Sequence, residues 1–97
     1  MKIITFKEPH HLDPSICIEV VMTEEDVLDH YWEHWKDRMT KANKTELITE
    51  SNCIEDFIIV NWAVECEDYD LGVAEHGVVR MDWQMYKDYL KRMKDHE

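Results

Sequence analysis

The sequence predicts a small α+β domain in which two or three short antiparallel strands and three helices pack on one core. Three observations lead there. Two β-rich runs open the chain, three later stretches carry apolar residues at helical spacing, and 97 residues suffice for one core. With two Gly, two Pro and 44% hydrophobic residues, the balance is globular rather than disordered.

The first run, KIITF, reads as a strand, and Lys7 to Ser15, which holds Pro9 and Pro14, reads as a loop. In ICIEVVM, residues 16–22, Ile16, Ile18 and Val20 alternate with Cys17, Glu19 and Val21, the period of a half-buried strand. The two strands would pair as a hairpin with a long connection. Thr23 then stands as a helix N-cap with Asp26 three residues on, and Glu24, Glu25 and Asp26 fill a first turn where the positive end of the helix dipole favours carboxylates. Leu28, Tyr31, Trp32, Trp35, Met39 and Ala42 recur at helical spacing, which predicts a helix over about 24–42.

Thr49-Glu-Ser-Asn opens a second helix, about 51 to 62, with Cys53, Ile54, Phe57, Ile58 and Trp62 on one face. FIIVNWAV also suits a buried strand, and periodicity alone leaves helix and strand open for residues 53–66. Gly72 and Gly77 bracket a turn-rich connection, and GVVRM reads as a short strand. Asp82 is the N-cap expected for a last helix, whose stripe is Tyr86, Tyr89, Leu90 and Met93, with Lys87, Lys91, Arg92 and Lys94 toward its C-terminal end. Trp32, Trp35 and Trp62 are expected in the core, and Trp83, in the first turn of the last helix, is the tryptophan expected at the surface.

The net charge is −11, and it is unevenly spread. Residues 45–79 hold nine acidic residues and no Lys or Arg, whereas residues 80–97 hold five basic and four acidic ones. Direct nucleic-acid binding and anionic membrane surfaces require the opposite sign. A basic protein surface is the electrostatically natural partner. The longest apolar run, FIIV, is far short of the ~18 residues of a membrane span. MKIITFKEPHH lacks the long apolar stretch of a signal peptide, so a cytoplasmic protein is expected. The three Cys, at 17, 53 and 66, are odd in number and outside CxxC spacing, which suits reduced thiols.

His30 and His34 share a helix face at i, i+4, the spacing of two-His metal sites, but HYWEH is not HExxH and a third ligand would have to come from His10, His11 or His76. Surface histidines flanking an aromatic stripe are the plainer reading. Cys66 sits among carboxylates that would disfavour a thiolate nucleophile. Two glycines permit neither a GxGxxG nor a Walker loop. The segment from Glu67 places Gly72 at the sixth position of a calcium loop but Val78 at the twelfth, where the closing Glu belongs. No catalytic group, metal or cofactor is therefore assigned. More informative is the row Asp26, Asp29, Glu33 and Asp37, opposite Leu28, Trp32, Trp35 and Met39. A row of like charges costs helix stability, so a face that imitates a nucleic-acid backbone is one explanation and a solvated helix face the other. Glu65, Glu67, Asp68 and Asp70 form a second acidic patch.

The segments TEEDVLDHYWEHWKDRM and CIEDFIIVNWAVE, across roughly residues 23–66, resemble a pattern in small uncharacterised proteins encoded by tailed phages. The resemblance implies no catalytic residue or cofactor. It implies a bacterial host cytoplasm and a role in binding and blocking a host protein. The expected function is a non-enzymatic acidic interaction module, a DNA mimic or inhibitor. It would engage a basic host surface, such as that of a nucleic-acid-binding protein, through Asp26, Asp29, Glu33 and Asp37 with Glu65, Glu67, Asp68 and Asp70. The alternatives are a metal module built on His30 and His34, or a self-associating protein such as a homodimer.

Overall fold

A computed structural model describes residues 2–67 and 71–95. Strands β1 (Lys2–Pro9) and β2 (Cys17–Thr23) lead into helix α1 (Glu24–Lys41). A single 3-10 turn (Thr45–Leu47), helix α2 (Glu50–Asn61), strand β3 (Val64–Glu67), strand β4 (Val78–Asp82) and helix α3 (Trp83–Asp95) follow. The α+β class is as the sequence predicts, but the sheet has four strands in the order β3-β1-β2-β4 and is mixed, not antiparallel. β1 pairs antiparallel with β2 and β3, whereas β4 lies parallel to β2.

Period-2 alternation on β2, with Ile4 of β1 beside it, delivers the core. Ile4, Ile18, Val20 and Met22 are fully buried, and they pack against Val27 of α1, Ile54 and Phe57 of α2, and Trp83, Tyr86 and Tyr89 of α3. The 10–16 connection of the β1–β2 hairpin turns on Asp13, whose carboxylate accepts from the Ser15 N–H and hydroxyl. The α1 start is a full capping box: Thr23 Oγ1 accepts from Asp26 N–H at 3.1 Å, and Asp26 Oδ2 accepts from Thr23 N–H at 3.0 Å. Thr49 Oγ1 caps α2 through Asn52 N–H, and Asp82 Oδ1 accepts from Met85 N–H at 2.8 Å at the start of α3. The ambiguity over residues 53–66 resolves into both structures, helix to Asn61 and strand from Val64.

Two tryptophan assignments are reversed. Trp62 is 91% exposed, because the chain leaves α2 at this residue: Trp62 takes left-handed φ 55° and ψ 35°, while Ala63 N–H reaches back to the Ile58 carbonyl at 2.9 Å. The helical spacing from Ile58 is broken one residue before it would bury the ring. Trp83 is only 7% exposed, because β4 runs into α3 without a loop and its first turn is pressed onto the sheet. Its ring lies 4.8 Å from that of His30.

At the sheet edge one side chain adds to the ladder that pairs β4 with β2. Arg80 Nε donates to Glu19 Oε1 at 2.7 Å across the parallel register, and its other nitrogens donate to the carbonyls of Gly72 at 2.7 Å and Leu71 at 3.0 Å. Both side chains are mostly shielded from solvent, so the pair is screened less than a surface salt bridge. Arg80→Ala should lower unfolding stability by about 2–4 kcal/mol, since it leaves the Glu19 carboxylate and two carbonyls without their donor. Glu19→Gln, which keeps an acceptor oxygen, should cost less than half as much. Urea midpoints with unchanged slopes would check both, and equal losses would show that charge rather than hydrogen bonding dominates.

Candidate functional site

An acidic concavity lies where α1, α2 and the edge strand β3 meet. A cleft of about 510 Å³ has an apolar floor of Leu28, Ile54 and Ile58 and a rim that includes Glu24, Glu25, Glu50, Glu55 and Glu65. Lys2 is its one basic residue and is paired to Glu65 at 3.0 Å. Glu24, Glu25, Glu50 and Glu55 make no side-chain hydrogen bond or ion pair to another described residue. The geometry follows from local chemistry. Both α1 and α2 begin with carboxylates in the first turn, and the fold brings these two positive helix ends to one cleft. The dipoles offset part of the repulsion among the glutamates.

The acidic row foreseen on α1 is divided by the structure. Asp26 is taken up by the capping box, and Asp37 Oδ2 is held by Lys41 Nζ at 2.9 Å. Asp29 and Glu33 stand exposed. Of the second patch, Glu65 is on the cleft rim and Glu67 ends β3, while Asp68 and Asp70 lie outside the described residues. Sequence reasoning did not place Glu24, Glu25, Glu50 and Glu55 in the site. The first-turn position of three of them was legible, but not that the two helix starts converge.

Beside the cleft, Ile59, Val60, Trp62 and Val64 are exposed along the α2–β3 junction. Single exposed apolar residues are ordinary, and here four fall within six positions, one a tryptophan in a left-handed conformation.

Among the described residues no three His, Cys, Asp or Glu side chains gather as a metal site. His30 packs against the rings of Trp83 and Phe57, and this partial burial lowers its pKa, opposed in part by the nearby Asp29 carboxylate. Cys53 is buried, which pushes its thiol up to about 11, with the Asp56 carboxylate adding to the shift, so it is a poor nucleophile. Tyr31 links α1 to α2: its hydroxyl donates to Asp56 Oδ2 at 2.6 Å and accepts from Arg38. Burial and that carboxylate raise its pKa to about 12, which keeps the donor proton in place.

Comparison of the chain with protein-family models, with curated proteins and with solved structures finds no match. The site is therefore read from its own geometry. No helix among the described residues is long and apolar enough to cross a membrane.

Two outcomes test this description. Trp62→Gly should raise unfolding stability by about 0.5–1 kcal/mol, because glycine adopts the left-handed cap without strain and an exposed ring has little burial to lose. A loss of stability would mean that the indole packs on the protein. An NMR titration of His30 should give a midpoint below the ordinary ~6.5. The sign follows from burial: the folded state resists protonation, so its stabilising effect is complete above the unfolded value and is lost as pH falls through the lowered folded one. A midpoint above ~6.5 would mean that Asp29 outweighs burial.

Proposed function

We propose that this chain is a non-enzymatic binding module that docks on a basic protein surface, with the cleft between α1, α2 and β3 as the principal contact. The observation that carries the reading is the cleft itself: five glutamates, one already-paired lysine and an apolar floor. A Lys- or Arg-bearing segment with an apolar residue at its centre fits that chemistry, and shedding bound water from the apolar floor adds to the charge attraction. Phosphate backbones and anionic headgroups are repelled by the same surface.

Asp29 and Glu33 extend the acidic surface along α1. Imitation of a nucleic-acid backbone is the narrower form of the reading and rests on these two exposed carboxylates. The resemblance to small tailed-phage proteins supports a host protein as the partner and the bacterial cytoplasm as the place, and the acidic face of α1 favours a nucleic-acid-binding one.

The test is capture from a bacterial lysate at low and high salt with three baits: the native chain, Glu50→Gln/Glu55→Gln, and Asp29→Asn/Glu33→Asn. A basic protein is expected on the native bait at low salt, released at high salt, and reduced about tenfold or more on the cleft variant. Loss on the α1 variant alone would move the contact from the cleft to the helix face. Equal recovery on all three baits would overturn the acidic-docking reading.

A further inference from the structure

The same chain carries a surface complementary to its own cleft. On α3, Lys87, Leu90, Lys91 and Lys94 recur at helical spacing and are exposed, with Leu90 43% accessible. Lys91 and Lys94 make no ion pair to another described residue, and Lys87 lies over the Trp83 ring, 5.6 Å from its centroid. The strip is thus an apolar residue ringed by cations. The cleft is an apolar floor ringed by carboxylates.

The fold keeps the two apart. Glu65 on the cleft rim belongs to β3 at one edge of the sheet, whereas α3 packs on β2 and on β4 at the other edge. A chain cannot bring its own strip to its own cleft. A second copy can, and the contact then joins two different surfaces rather than the same surface twice.

We propose that the cleft of one copy receives the Lys87/Leu90/Lys91/Lys94 strip of another, giving head-to-tail association that depends on low ionic strength. This goes beyond the reading above, which concerns a different protein as partner. The occupant is argued from charge: residues 45–79 contribute nine acidic and no basic residues, while α3 carries four cations, Lys87, Lys91, Arg92 and Lys94. The net charge of −11 opposes assembly at long range, so the contact must come from these local patches and stays weak. Where a basic partner occupies the cleft, self-association would be displaced.

Sedimentation equilibrium of the full chain tests this, at ~10 mM ionic strength, where charges act over ~30 Å, and at ~0.5 M, where they do not. At low salt the weight-average mass should rise with concentration to about twice the monomer's 11.8 kDa or more, and it should return to the monomer at high salt. Glu50→Lys/Glu55→Lys alone and Lys91→Glu/Lys94→Glu alone should each be monomeric, because the first cancels the net charge of the cleft and the second gives the strip the sign of the cleft. Mixed in equal amounts, they should associate again. A native chain that stays monomeric at low salt overturns the proposal. So does association that survives both reversals, or a mixture of folded variants that does not associate. If a reversal disturbs folding by circular dichroism, Glu50→Gln/Glu55→Gln and Lys91→Gln/Lys94→Gln replace it, each expected to abolish the rise in mass.

Discussion

The placement of β4 beside β2 is the constraint on which the plan of this molecule depends, and Arg80 reinforces it. β3 and β4 are neighbours in sequence but stand at opposite edges of the sheet. Arg80 ties β4 to Glu19 of β2 and also holds the carbonyls of Leu71 and Gly72 in the segment that approaches β4. With β4 fixed there, α3 must begin on the same side, and Trp83, Tyr86 and Tyr89 close the core over β2. A guanidinium suits this position because its planar fork serves a carboxylate and two carbonyls at once, which an ammonium on a flexible stem does less well.

The charge distribution has two origins that the fold separates. Some carboxylates are structural: Asp26 and Asp82 cap helices, Asp56 receives the Tyr31 hydroxyl, Glu8 receives the Tyr86 hydroxyl and Glu19 holds Arg80. The glutamates of the cleft rim, apart from Glu65, make no such hydrogen bond or ion pair among the described residues. They sit where helix dipoles tolerate them, so local physics explains why each is allowed and tertiary structure explains why they meet. Stability therefore rests on the first group, and the second leaves its charge on the surface of the cleft.

The sequence by itself determined the class and most elements. The two opening strands, the Thr23–Asp26 cap, α1, the Asp82 cap and the tyrosine stripe of α3 are local matters of period and capping, which short windows record. It also determined the net charge of −11, because charge is additive along the chain. Only the tertiary structure decided the parallel pairing of β2 with β4, since a strand's period says which face it buries and not whom it pairs with. It likewise exposed Trp62 and buried Trp83, because a left-handed residue ended one helix and a loopless junction began another. Its largest decision was to bring the starts of α1 and α2, 26 residues apart in the chain, to one cleft with β3. Helical spacing orders side chains along a single element, whereas a site shared by three elements exists only once the core has docked them.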